Sequence, residues 1–188
     1  FQLCEDSNNK DSLDNPIVNP PCNFKIDISS LLSISFYYFQ TVWITNDRRA
    51  FAIGCNTKCQ IIDSLPHETF QKEREIKIQD EEGNQCEFVS VVCGESYTLY
   101  RVLVNSDLKQ SKLVYQYEDR PKSIFLNING REPLALFGGD INCAIIDSEG
   151  AILLITKSIY DNPNKIIEPI FLPNNEKTVS VACCNHFI

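Results

Sequence analysis

The chain has 188 residues, 17 Lys and Arg against 25 Asp and Glu, a net charge of −8, nine Cys, nine Pro and no Met. That length holds one ordinary domain or part of a larger one, and the negative balance makes direct binding to DNA or to an anionic membrane surface an unfavourable main role. Hydrophobic residues make up 43% of the chain, enough for a core, while no apolar run approaches the ~18 residues of a membrane-spanning helix.

The sequence opens at Phe1 without an initiator Met, which reads as a processed product or an excised piece. Phe1–Lys10 lacks the charged-then-apolar layout of a signal peptide. Residues Phe1–Pro21 are rich in Asp, Asn, Ser and Pro, and Asn15-Pro16 and Asn19-Pro20-Pro21 break regular structure, so this part is read as an entry arm or linker to a body spanning 22–188. Strands are then expected at Ser33–Phe39 and Thr41–Thr45, separated by Gln40, and at Ala50–Ile53 after a turn at Asn46–Arg49. Alternation at Glu75–Ile78 favours a strand over a helix within Phe70–Ile78. Phe88–Cys93 and Tyr97–Val104 flank the turn Gly94-Glu95-Ser96. All are short and rich in β-branched and aromatic residues, and no helical period is sustained, so the class is all-β.

Four segments share one form: Leu32–Val42, Val89–Leu99, Leu134–Ala144 and Val179–Ile188 each run apolar–small–apolar, then a turn, then a new strand. Taking Ser33, Ser90, Ala135 and Ser180 as equivalent, the repeats are spaced by 57, 45 and 45 residues. A hairpin pattern also recurs, Trp43–Ile53 matching Ile145–Ile155. A β-rich unit at this period is the sequence signature of a propeller blade, whose sheet buries its faces against neighbouring blades.

These repeats resemble the regulator-of-chromosome-condensation (RCC1-like) family. Val89–Leu99 is similar to its strand–turn–strand motif, small-Cys-Gly-x-x-His-Thr-x-Ala-Leu, and Val179–Cys184 to the start of the same unit. Phe51–Ile61 is similar to its aromatic-Gly-x-Asn-x-x-Gly-Gln-Leu segment. The resemblance spans Ser33–Ile188 and is weakest over Asp107–Gly130. It departs from the family in four ways: Cys59 replaces the second Gly of the Gly-x-Asn segment, Arg48-Arg49 stand where Gly is common, the Gly-x-Asn segment appears once only, with Thr156-Lys157-Ser158 after Ile155 instead, and the usual His is replaced by Gln40, Tyr97, Asn142 and Phe187. The resemblance implies an all-β β-propeller, here an incomplete ring of about three to four blades, since the family closes its ring with seven.

Little in the sequence points to catalysis. The two His, His67 and His186, lie far apart, and pairing His186 with Cys183 or Cys184 conflicts with the repeated core position of Cys183. Cys55-x-x-x-Cys59 lacks the further ligands of a tetrahedral zinc site, and Asp80-Glu81-Glu82-Gly83 reads as a solvated acidic turn. No metal and no cofactor is expected. The odd number of Cys and the lack of any Asn-x-Ser/Thr acceptor point to free thiols in an intracellular setting, cytoplasmic or nuclear.

The expected function is a non-catalytic protein-interaction module. Its binding positions are the repeated turns Glu95-Ser96, Asp140-Ile141 and Asn185-His186, a polar to acidic rim suited to a basic protein partner. The resemblance implies an alternative, a guanine-nucleotide exchange factor or regulator for a small Ran-type GTPase. A homodimer that completes the ring is a further expected partner arrangement.

Overall fold

The computed structural model describes residues 27–183 except 38, 63–64, 66–67, 105–110, 121, 157 and 163–164, and all side chains among them except 71, 158, 160 and 175. The expected entry arm, both His, Asn185 and Phe187 lie outside the described residues.

Three four-stranded antiparallel sheets follow one another along the chain, each a simple meander. The first blade contains β1 (Leu31–Tyr37), β2 (Gln40–Thr45), β3 (Ala50–Cys55) and β4 (Thr69–Ile76). The second contains β5 (Glu87–Cys93), β6 (Tyr97–Leu103), β7 (Ser111–Tyr117) and β8 (Ile124–Phe125). The third contains β9 (Pro133–Gly138), β10 (Cys143–Asp147), β11 (Ile152–Ile155) and β12 (Pro169–Ile170), with a one-turn helix α1 (Ser158–Asp161) between its last two strands. The chain then leads to a stretch without regular secondary structure at 178–183, where the fourth copy of the motif begins. The fold is all-β and the arrangement is a partial propeller.

Burial follows from where each strand sits. β1 alternates between half-buried and exposed, as a strand with one covered face does. β6 and β7 are buried along nearly their whole length, because the second blade is packed on both faces. Val42, Ile44, Ala50 and Ala52 of the first blade meet Phe88, Val91, Tyr100 and Val114 of the second in one apolar cluster. Tyr97, Leu99, Leu113 and Tyr115 of the second blade meet Cys143, Ile145 and Leu153 of the third in another. Each buried Val, Leu, Ile or Phe among them contributes ~1.5–3 kcal/mol. Trp43 is 3% exposed and stacks on Phe51 with centroids 5.8 Å apart, consistent with the core role read from its strand.

The hairpin turns repeat as closely as the strands. Arg48 donates its N–H to Thr45 O at 2.8 Å, and Gly150 donates to Asp147 O at 3.0 Å. Both residues have positive φ, 62° at Arg48 and 86° at Gly150. Each turn also receives the next blade: Phe88 N–H donates to Arg48 O at 3.0 Å and Thr178 N–H to Gly150 O at 3.0 Å. Cys59 has φ 62° as well. Arg48 and Cys59 therefore keep a left-handed backbone without the Gly that the resemblance leads one to expect there.

One expectation changes. Gln40 does not separate two strands; it is the first residue of β2, and the turn lies before it. Asp107–Gly130, where the repeat is weakest, contains β7 and β8, the two outer strands of the second blade. Outer strands carry none of the motif glycines, so β7 is placed by pairing with β6 and β8 by pairing with β7.

Candidate interaction rim

The seams between blades hold the rim in place. Gln40 and Tyr97 occupy equivalent positions, the first residue of the second strand of their blades, and each reaches into the following blade. The Gln40 side-chain amide donates to Gly94 O at 2.9 Å and to Tyr97 O at 3.2 Å. Tyr97 Oη donates to Gly139 O or Asn142 O, each 2.9 Å away, and accepts from Gly139 N–H at 3.2 Å. Gly94 and Gly139 are equivalent, as are Tyr97 and Asn142, so one latch is built twice from different side chains. Burial pushes the Tyr97 hydroxyl far above its ordinary range, which keeps it a proton donor.

Small residues allow this closeness. A Cβ on Gly94 would fall 2.0 Å from the Tyr97 ring and 2.6 Å from Asp140 O. One on Gly139 would fall 2.8 Å from the Cys183 carbonyl. Cys93 is buried; its N–H donates to Ser35 Oγ at 2.9 Å and its Sγ lies 3.8 Å from Ser35 O. Cys183 Sγ stands in the same relation to Phe137 O, also at 3.8 Å. The motif cysteines are thus seam residues, with Cys183 only half-buried.

On the end of the blades where these latches lie, the inner turns form a row. Glu95 N–H donates to Asp140 O at 2.7 Å, which sets the turns of the second and third blades side by side. Glu95 is exposed and Asp140 half-buried, and neither carboxylate makes a hydrogen bond or ion pair among the described residues. Ile141 is 40% exposed beside them. Ser96 is not surface: it is 8% exposed, and its carbonyl accepts from Glu118 N–H at 2.7 Å. That bond brings Glu118 and Asp119 to the same end, where Lys58 pairs with Glu118 at 3.4 Å. Phe39, 63% exposed, holds the position in the first blade that Ser96 and Ile141 hold in the next two. The repeat spacing was sufficient to find Phe39, which the acidic pattern passed over.

Other candidate residues have local partners. The Asp80 carboxylate accepts from Glu82 N–H at 3.0 Å and Asn84 N–H at 2.8 Å, closing the acidic turn on itself. Among the described residues no group of His, Cys, Asp and Glu is arranged to hold a metal ion. No disulfide joins the described cysteines Cys55, Cys59, Cys86, Cys93, Cys143 and Cys183 to one another. Among the described residues no helix is long and apolar enough to cross a membrane.

The twice-built latch between meander sheets defines a class, repeat blades of a propeller joined through their inner strands. Comparison with solved structures finds chains of similar fold. Human WBSCR16, an RCC1-like protein, matches with TM-score 0.58 at 12% identity, over 82% of this chain and 42% of that one. Prp20p from Saccharomyces cerevisiae, in a study of its binding to Gsp1p and histones, matches with TM-score 0.47 at 12% identity, over 65% and 32%. Yeast RCC1 (Prp20) bound to Kap60 gives 0.48 at 11% identity, over 70% and 33%. The chain spans less than half the length of each. No protein-family model matches it, and no curated protein does. The fold is a divergent RCC1-like propeller in part.

Proposed function

We propose that the chain is a non-catalytic protein-interaction module that receives a basic protein partner on its row of inner turns. The observation that carries the reading is the pair Glu95 and Asp140. Their backbones are fixed together at 2.7 Å, their carboxylates have no cation among the described residues, and exposed Phe39 and Ile141 lie on neighbouring turns. Carboxylates at a rim speed encounter with a cationic partner, and apolar side chains beside them supply area that can be desolvated.

Binding of a fluorescent Lys- and Arg-rich peptide, read by anisotropy, tests this. The wild-type chain binds, affinity falls as salt rises, and Glu95→Lys with Asp140→Lys abolishes binding while the circular dichroism spectrum and melting midpoint stay unchanged. Binding that survives the charge reversal would place the partner elsewhere. Nucleotide release from small GTPases separates the alternative: acceleration by catalytic amounts of the chain would make it an exchange factor, and unchanged release with retained peptide binding supports the module.

A further inference from the structure

Asn129 and Gly130 form the only Asn-Gly pair in the sequence. They sit at the tip of the turn that joins the second blade to the third, and both are exposed. The turn is closed around them. Asn129 N–H donates to Asn127 Oδ1 at 3.0 Å, and Arg131 N–H donates to Ile128 O at 3.1 Å. The Asn129 side-chain amide and the Gly130 N–H make no hydrogen bond among the described residues. A Cβ on Gly130 would meet nothing within 4 Å, so the space beside its Cα is open.

From this juxtaposition we infer that Asn129 is a site of spontaneous deamidation in the folded chain. The Gly130 backbone nitrogen attacks Asn129 Cγ and the new N–C bond closes a five-membered imide. The Cγ–NH2 bond breaks, and the amide leaves as ammonia with the proton given up by Gly130. Water then opens either imide carbonyl, giving Asp or isoaspartate at 129. No oxidant or reductant is involved, and one negative charge is gained. Glycine suits the step because no side chain crowds the attacking nitrogen.

Four other asparagines of the described region differ. Asn56 is fully buried and bonded at both ends of its amide. Asn84 is held by Asp80, and Asn127 accepts from Asn129 and precedes the β-branched Ile128. Asn162 precedes Pro163, which has no N–H to lose. The change at 129 would be felt next door. The Arg131 guanidinium pairs with Asp147 and with Glu149, the latter at 2.9 Å, and so ties this turn to the β10–β11 hairpin. A new carboxylate two residues away competes for that cation, and isoaspartate lengthens the main chain leading to it.

The test incubates the native full chain in 18O-water at mildly alkaline and at mildly acidic pH, followed by peptide mass mapping. The expected result is one 18O entering the peptide that contains Asn129, isoaspartate as a product, faster conversion at the higher pH, and conversion ahead of every other asparagine. Asn129→Gln should remove the signal, and Gly130→Ala should slow it several-fold. If the folded chain leaves Asn129 intact while the urea-unfolded chain converts it, the fold protects the pair and the inference fails. It also fails if another asparagine converts first.

Discussion

Tyr97 stands where the family resemblance leads one to expect His, and its hydroxyl serves two carbonyls and one N–H of the next blade. Tyr97→Phe keeps the ring packed on Tyr115 and removes only that oxygen. The carbonyls of Gly139 and Asn142 lose a donor at a seam, at a cost of about 1–3 kcal/mol. A lower urea midpoint with an unchanged slope is the expected result; an unchanged midpoint would mean that water replaces the hydroxyl without loss. The cysteines make a second residue-scale case. Burial raises the Cys86 thiol to about 11 and the Cys93 thiol to about 12, and lifts Cys143 well above its ordinary value of 9.0. For Cys55, partial burial pushes the thiol up, but hydrogen bonds from Thr57, Gln60 and Thr69 outweigh it and the net shift is downward. Iodoacetamide at neutral pH should therefore label Cys55 well before Cys93 or Cys143, as peptide mapping would show. The folded state holds on to protons that the unfolded thiols release, so this contribution to stability is complete below pH 9.0 and fades as pH climbs through about 11 to 12. Equal labelling of Cys55 and Cys93 would contradict both statements.

At the scale of elements, the loop between β3 and β4 depends on Asn56, which is fully buried. Its Oδ1 accepts from Ile61 N–H at 2.9 Å and Ile62 N–H at 3.2 Å, and its Nδ2 donates to Ile62 O at 3.0 Å. The same loop is gripped by the second blade, through Thr98 Oγ1 on Gln60 O and Tyr100 Oη on Ile61 O, each at 2.7 Å. Asn56→Ala leaves several buried groups unpaired and should cost about 2–3 kcal/mol, seen as a fall in melting midpoint and as new protease cleavage within 56–62. A variant as stable as wild type would show that the second blade alone holds the loop. Asn56 was visible in the sequence as the Asn of a Gly-x-Asn segment. The inner and second strands were legible for a similar reason, because their small residues and turn glycines recur wherever blades approach. β7 was not legible. Ser111-Lys112-Leu113-Val114-Tyr115-Gln116-Tyr117 has no repeated neighbour, and its burial comes from both flanking blades, which no local pattern reports. Rim position 39 shows a different failure. Exposure at a turn is set by what the following loop covers, so Ser96 is hidden under the β7–β8 turn while Phe39 is not.

Across the whole molecule, stability should vary with place in the row of blades. In a repeat architecture each unit has its own folding cost, and nearest-neighbour interfaces repay it. The second blade has two such interfaces, and its strands β6 and β7 contain Tyr97, Leu99, Tyr100, Leu113, Val114 and Tyr115 with no solvent exposure at all. The 178–183 stretch is joined to the third blade through Thr178 and Cys183 and exposes Val179 by 90%. Native-state hydrogen exchange should then rank the amides. Those of β6 and β7 exchange only by global unfolding, those of β1 and β11 exchange earlier, and those of 179–182 exchange first. The exchange free energies of β6 and β7 should equal the stability from urea unfolding. If β1 were as protected as β6, the first blade would gain as much from its outer face as the second gains from two neighbours, and the nearest-neighbour account would fail. Tyr97→Phe sharpens the measurement, since it weakens only the seam between the second and third blades. Exchange should quicken more in β9 and β10 than in β2 and β3, and the backbone of Asp140 should lose its fixed place beside Glu95.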